Sequence, residues 1–157
     1  MCAPSLNTHF SLSYVMNKKG KGTRGERELF HQLWEQGFAV VRAAGSGSTS
    51  RPSPDLLASN GRKTFAIECK SVKGEKKYFS AQELEQLHIF ANTFGAEAWL
   101  AIRFDTKGWF FLEAKQISKS KGQNFLLSYT QLQKEGLQFE EFIGKYSQQR
   151  LILPEGI

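Results

Sequence analysis

Residues 54–70 read PDLLASNGRKTFAIECK, and the Asn60-Gly61 step at their centre makes a β-hairpin the simplest fold for the stretch. Both residues tolerate positive φ, which a tight turn between two extended arms demands. The arms, residues 55–59 and 63–69, are rich in apolar side chains. A two-residue loop would pair Ser59 with Arg62 and set Asp55 opposite Ala66. Side chains alternate along a strand, so Ala66, Glu68 and Lys70 share a face, with Asp55 on that face and diagonal to Glu68. Phe65, Ile67 and Cys69 then point the other way, into a core. Two carboxylates and an amine are an odd choice for a strand face that only has to pack, where Val or Thr fits better. The spacing points to a metal site with a lysine beside it.

A chain of 157 residues with 40% hydrophobic residues and 13 Phe is large enough for one domain with a real core. Its formal charge of +6 and pI near 9.4 favour a polyanionic partner. Charge alone does not separate nucleic acid from an anionic membrane surface. No apolar run approaches the roughly 18 residues a spanning helix needs. Cys2 and Cys69 are too few and too far apart in context for a disulfide framework, so a reducing cytoplasm fits best. Residues 1–16 lack the charged start and apolar core of a signal peptide. They are expected to be a disordered extension with Met16 as the functional start, followed by one domain over residues 17–150 and a tail over 151–157.

Along the chain, Lys18, Lys19, Lys21, Arg24 and Arg27 form a basic run that enters a helix expected over residues 23–36. Leu29, Phe30, Leu33 and Trp34 make its apolar stripe, Thr23 is its candidate cap and Gly37 its stop. Glu26 falls in the first turn, where by itself it need do no more than complement the helix dipole. Residues 38–43 read as a short buried strand. Residues 45–50 (GSGSTS) then form a loop that lacks the Gly-Lys-[Ser/Thr] ending of a phosphate-binding P-loop. A plain linker and a loop whose hydroxyls touch DNA phosphates are both open.

After the hairpin, residues 71–77 read as a charged loop carrying Lys73, Lys76 and Lys77. Ser80-Ala-Gln-Glu83 has the capping-box pattern and starts a helix to about Phe94, with Leu84, Leu87, His88 and Ala91 as its stripe. Residues 97–104 and 109–113 form strands joined by a turn over 105–108, a second hairpin that completes the sheet. Residues 124–128 are a candidate strand and 140–149 a candidate helix. The order α-β-β-β-α-β-β gives an α/β or α+β fold with a mixed central sheet and flanking helices.

Asp55, Glu68 and Lys70 supply hard oxygen ligands and a cation, a set suited to Mg²⁺. Such an ion acidifies water and orients a scissile phosphate, and a lysine adds positive charge where negative charge develops. Against this stands a plain exposed strand face carrying a Glu–Lys pair, which is common and contributes little. His9, His31 and His88 have no partners at zinc spacing, and Cys69 reads as core rather than nucleophile. Trp34, Trp99 and Trp109 suit core or interface better than base stacking.

Pro54-Asp55, twelve residues, then Glu68-Cys69-Lys70 resembles the PD-(D/E)xK nuclease motif. The stretches KGTRGEREL (21–29), GFAVVRA (37–43), GSG (45–47), Asn60-Gly61 and FGA (94–96) are similar to the archaeal Holliday-junction resolvases. That resemblance implies a restriction-endonuclease-like fold and a homodimeric, Mg²⁺-dependent endonuclease, with Mn²⁺ as an expected substitute. It would place paired, symmetric nicks in four-way DNA junctions, leaving 5′-phosphate and 3′-hydroxyl ends. By the same resemblance Glu26, Asp55 and Glu68 would hold the metal and Lys70 would be the catalytic lysine. Ser46 would be a loop serine needed for cleavage, and Arg42 a junction-binding residue. Lys18, Lys19, Lys21, Arg24, Arg27, Lys73, Lys76 and Lys77 would hold DNA phosphates without reading bases. Gln82 and Gln86 compete for a glutamine frequent in the superfamily, and neither is assigned a role. A nucleoid-associated cytoplasmic protein is expected, with a sliding clamp or a branch-migration helicase open as partners. Competing readings are another repair endonuclease on the same fold, a silent paralogue that only binds branched DNA, and a basic RNA-binding module.

Overall fold

The computed structural model describes residues 19–43 and 50–146, with side chains from Arg24 to Lys145. The expected N-terminal extension with Met16, Lys18, Ser46 and the 151–157 tail lie outside the described residues.

Helix α1 (Lys19–Glu35) starts four residues before the expected Thr23, so Thr23 is not its cap and Glu26 is not in its first turn, and it ends at Gly37, whose φ of 85° lets the chain turn back. Of its stripe, Leu29 and Leu33 are fully buried and Phe30 packs at the core margin. Trp34 stays 49% exposed, its indole N–H donating to the Val40 carbonyl at 3.1 Å. Strands β1 (Ala39–Arg42), β2 (Leu56–Ser59) and β3 (Thr64–Val72) run antiparallel in sequence. β1 is an edge strand with only Val40 buried and Val41 in solvent, not the buried strand expected.

The hairpin is present with a wider loop than expected. Ser59 pairs with Thr64, because Asn60 closes the turn on Lys63 instead. The Asn60 N–H donates to the Lys63 carbonyl, and its side-chain Oδ1 accepts the N–H groups of Arg62 (2.9 Å) and Lys63 (2.8 Å). An Asx-type closure of this kind competes with the two-residue turn and wins here. Leu57, not Asp55, therefore lies opposite Ala66. The register moves by two residues, an even number, so every side chain keeps its expected face.

Beyond β3 the expected charged loop shrinks to residues 73–75. Strand β4 (Lys76–Phe79) follows and pairs with a later strand, β7 (Phe125–Ser128), in a separate two-stranded sheet. Only Phe79 of β4 is buried, so its residues carried no apolar alternation to reveal it. Helix α2 (Ala81–Phe94) has the expected capping box at Ser80 and Glu83 and ends on Gly95 with φ 80°. Strands β5 (Glu97–Phe104) and β6 (Gly108–Glu113) form the second hairpin. They do not complete the sheet, since β8 (Leu137–Gln138) adds on beyond β6. Helices α3 (Tyr129–Glu135) and α4 (Phe139–Tyr146) complete the described chain, α3 having no counterpart in the sequence reading.

The main sheet runs β1-β2-β3-β5-β6-β8, antiparallel except for the β3–β5 pair. A parallel pair needs a crossover, and α2 supplies it. Helices cover both faces. One core joins α1 and α4 to Phe65, Ile67, Cys69, Trp99 and Phe111; the other joins α2 and α3 to Ala66, Val72, Leu100 and Phe110. No helix among the described residues is long and apolar enough to cross a membrane.

Candidate active site

Gly25 brings α1 to the sheet. A Cβ there would stand 2.6 Å from the Ser71 hydroxyl and 3.6 Å from the Trp109 ring, so only glycine allows this approach without displacement. Glu26, the next residue, stands within range of the charges of Asp55 and Lys70. Its Oε2 accepts from Arg42 Nε on β1 at 3.1 Å.

Asp55 precedes β2 and is 7% exposed. Its N–H donates to the Ile67 carbonyl at 3.1 Å and its Oδ2 accepts the Cys69 N–H at 2.8 Å. These bonds bracket Glu68 along β3. Glu68 and Lys70 follow the β3 alternation onto the α2 side, with Lys70 Nζ donating to Glu68 Oε1 at 2.6 Å. Cys69 points into the α1 core, as expected. Burial pushes its thiol well above the ordinary value of 9.0, and the charges of Asp55, Glu68 and Glu26 push the same way. A neutral, enclosed thiol is no nucleophile.

The carboxylates strain against one another. Burial raises the pKa of Glu26, the charge of Asp55 raises it further, and Arg42 and Lys70 offset part of the rise. Glu68 is raised by burial and then by Asp55, against the pull of Lys70. Burial disfavours the Lys70 ammonium, but Glu68, Asp55 and Glu83 outweigh that and hold its pKa above 10.5. The charge of Asp55 thus disfavours ionisation of both glutamates, a repulsion that a hard divalent cation would relieve. The side chains do not close into a ligand shell: among the described residues no three His, Cys, Asp or Glu side chains cluster tightly enough to hold an ion. Each carboxylate is instead turned to a donor of the protein: Arg42, the Cys69 N–H and Lys70 respectively. The donor chemistry fits a hard cation, with Glu26, Asp55 and Glu68 as the residues that would hold it.

Of the other expected residues, Arg24 and Arg27 are exposed on α1, Lys73 and Lys76 are exposed, and Lys77 is half-buried. Lys19 and Lys21 lie in the first turns of α1 by their backbone. Glu83 has no place in the sequence reading of the site, yet its Oε1 lies 3.9 Å from Lys70 Nζ. Burial works against its ionised form, but the Ser80 hydrogen bonds and the charges of Lys70 and Lys77 hold its pKa below 4.5. The capping box announced where Glu83 sits on its helix; no local signal announced which strand that helix end would meet.

The sequence profile described as "Archaeal holliday junction resolvase (hjc)" matches residues 17–151. The chain is 43% identical over 132 residues to the crossover junction endodeoxyribonuclease Hjc of Archaeoglobus fulgidus, covering 84% of this chain and 96% of that one. It is 31% identical over 137 residues to the Hjc of Methanocaldococcus jannaschii, covering 87% and 97%. The solved structure of Archaeoglobus fulgidus Hjc, a Holliday junction resolvase from an archaeal hyperthermophile, superposes with a TM-score of 0.72 at 41% identity, over 78% of this chain and all of that one. With a sheet of the PD-(D/E)xK type, the chain belongs to the archaeal Holliday-junction resolvase family.

Proposed function

We propose that this protein is a Holliday-junction resolvase, an endonuclease that nicks four-way DNA junctions in recombination and repair. The observation that carries the reading is the bracketing of Glu68 by Asp55 on β2–β3, with Lys70 beside it, in a chain whose relatives are named crossover junction endodeoxyribonucleases. Glu26, Asp55 and Glu68 would hold Mg²⁺, with Mn²⁺ as a substitute. When bound, the ion supplies Lewis acidity toward the scissile phosphate and an acidified water. Lys70 places a positive charge where the phosphoryl oxygens become more negative. Arg24, Arg27, Arg42, Lys73, Lys76 and Lys77 hold flanking phosphates, and Ser46 takes part in cleavage. The products carry 5′-phosphate and 3′-hydroxyl ends, and the protein works on chromosomal DNA in the cytoplasm.

The test uses a labelled immobile four-way junction, a matched duplex and single strand, each with Mg²⁺ and with EDTA. Paired, metal-dependent nicks in the junction alone are expected. Equal cutting of plain duplex would overturn the junction reading, and tight binding without cutting would overturn the enzyme reading.

Metal binding should also be visible in stability. Glu26 and Glu68 have folded-state pKa values above the ordinary 4.5. Such groups favour the folded state below that value, and the contribution is lost as pH rises through the folded-state pKa. A cation that needs both ionised therefore stabilises little near pH 4.5 and increasingly toward neutrality. At a hundredfold excess over Kd the gain reaches about 2.7 kcal/mol. Calorimetry with Mg²⁺ and with EDTA across this range measures the difference; a cation effect independent of pH would contradict the assignment.

A second copy of the chain supplies the second nick, because a two-fold axis presents two equivalent sites. Supporting this, α2 leaves Ile89 50% and Phe94 56% exposed, with Phe90 stacked on Phe94 at 5.4 Å. Exposed apolar clusters of this kind mark contact surfaces. Ile89→Glu with Phe94→Glu is expected to give a monomer by light scattering and to abolish paired nicking. A variant that remains dimeric would place the interface elsewhere.

A further inference from the structure

The capping box of α2 leaves one carboxylate oxygen uncommitted, and that oxygen faces Lys70. The Ser80 hydroxyl accepts the Glu83 N–H at 3.1 Å, while Glu83 Oε2 accepts from the Ser80 N–H at 2.8 Å and the Ser80 hydroxyl at 3.0 Å. Oε2 is thus occupied, and Oε1 lies 3.9 Å from Lys70 Nζ. The ammonium stands between two carboxylates, Glu68 at 2.6 Å and Glu83 at 3.9 Å. They are not equivalent. Glu68 shares a strand with Lys70 and belongs to the set that would hold the cation. A carboxylate engaged by a divalent ion loses much of its attraction for an ammonium. Glu83 stands outside that set and is fixed by its own helix.

We propose that Glu83 is the positioning residue of Lys70: its Oε1, braced by the capping box, holds the ammonium beside the Asp55–Glu68 pair when Glu68 turns to the cation. This rests on the roles that the proposed function gives Lys70 and Glu68. A lysine stem has four rotatable bonds, so an ammonium with one departing partner has no defined place. Placement matters because an error of about 1 Å at a reacting centre can cost on the order of a hundredfold in rate. The α2 N-terminus would also repel Lys70 through its partial positive charge, and a carboxylate in the first turn cancels that repulsion. Capping alone needs no charge, since glutamine serves equally at the third position of the box. The negative charge complements the helix dipole as well, so cleavage and not stability is what tells a role at Lys70 from a role in the helix.

That difference supplies the test. Glu83→Gln keeps an acceptor for the Ser80 N–H and removes the charge; Glu83→Ala removes both. Single-turnover cleavage of a four-way junction, junction affinity and thermal unfolding are measured for each, alongside Lys70→Ala and the double variant Glu83→Gln with Lys70→Ala. Glu83→Gln is expected to unfold and bind like the parent but to cleave about ten- to a hundredfold more slowly, the usual effect of losing a group that orients a functional residue. Glu83→Ala should lose stability as well, and the double variant should cleave no more slowly than Lys70→Ala. Parent-rate cleavage by Glu83→Gln, with Lys70→Ala inactive, overturns the inference and leaves Glu83 a cap. Parent-rate cleavage by Lys70→Ala overturns the role given to Lys70 and the inference with it.

Discussion

Replacing Asp55 with asparagine or alanine is expected to give a protein that binds four-way junctions and does not cut them. The side chain has two separable duties. Its charge acts on both Glu26 and Glu68, and its Oδ2 accepts the buried Cys69 N–H at 2.8 Å. Asparagine keeps an acceptor for that N–H and loses the charge; alanine loses both. Cleavage should fall in both variants by about a thousandfold, the upper range for removing one group that stabilises transition-state charge. Stability should separate them. Alanine orphans a buried N–H, at a cost of about 1–3 kcal/mol, while asparagine stays close to the parent. Junction affinity measured in EDTA should hold in both, because phosphate contacts by the basic residues do not pass through Asp55. Cleavage within tenfold of the parent in Asp55→Asn would remove Asp55 from the site.

The largest expected loss of stability comes from the far end of the chain. Phe142 on α4 is completely buried and stacks on Phe111 at 4.3 Å. Its ring also meets Trp99 at 5.2 Å, Phe65 at 5.6 Å and Phe38 at 6.2 Å. Phe65 lies on β3, three residues before Glu68, so this cluster stands behind the strand that carries the site. Phe142→Ala should cost about 3–5 kcal/mol, the range for removing an enclosed aromatic side chain. For a domain of this size that lowers the melting temperature by about 6–20 °C. Phe142→Leu keeps most of the volume and should recover much of the loss. A melting temperature unchanged in Phe142→Ala would mean that α4 is not docked on the sheet. Cleavage per folded molecule should change little, which distinguishes this variant from those at Asp55.

The site was legible to the extent that its members are neighbours on one element. Glu68 and Lys70 share a face because strands alternate, and Phe65, Ile67 and Cys69 turn into the core for the same reason. Ser80 and Glu83 cap α2 because the box spans one turn of helix. Glu26 was visible only through the family resemblance, since the helix start expected at Thr23 put it in a first turn, where a carboxylate has an ordinary explanation in the dipole; with α1 beginning at Lys19 that explanation does not apply. Strand β4 has no local signature because its partner, β7, begins 49 residues after Lys76 and only Phe79 of its four residues is buried. Helix α3 escaped because seven residues with one buried leucine carry too little periodicity to read.

What the sequence alone determined was therefore local: the alternation of β3, the Asn60-Gly61 reversal, the cap of α2 and the oxygen-rich chemistry of the site. The tertiary structure decided the approach of α1 through Gly25, the aromatic cluster around Phe142 and the meeting of Glu83 with Lys70. Spacing along a chain records interactions within a turn or a hairpin, because backbone geometry fixes them over a few residues. Which helix end meets which strand depends on how all the side chains pack at once, and no short window of sequence contains that.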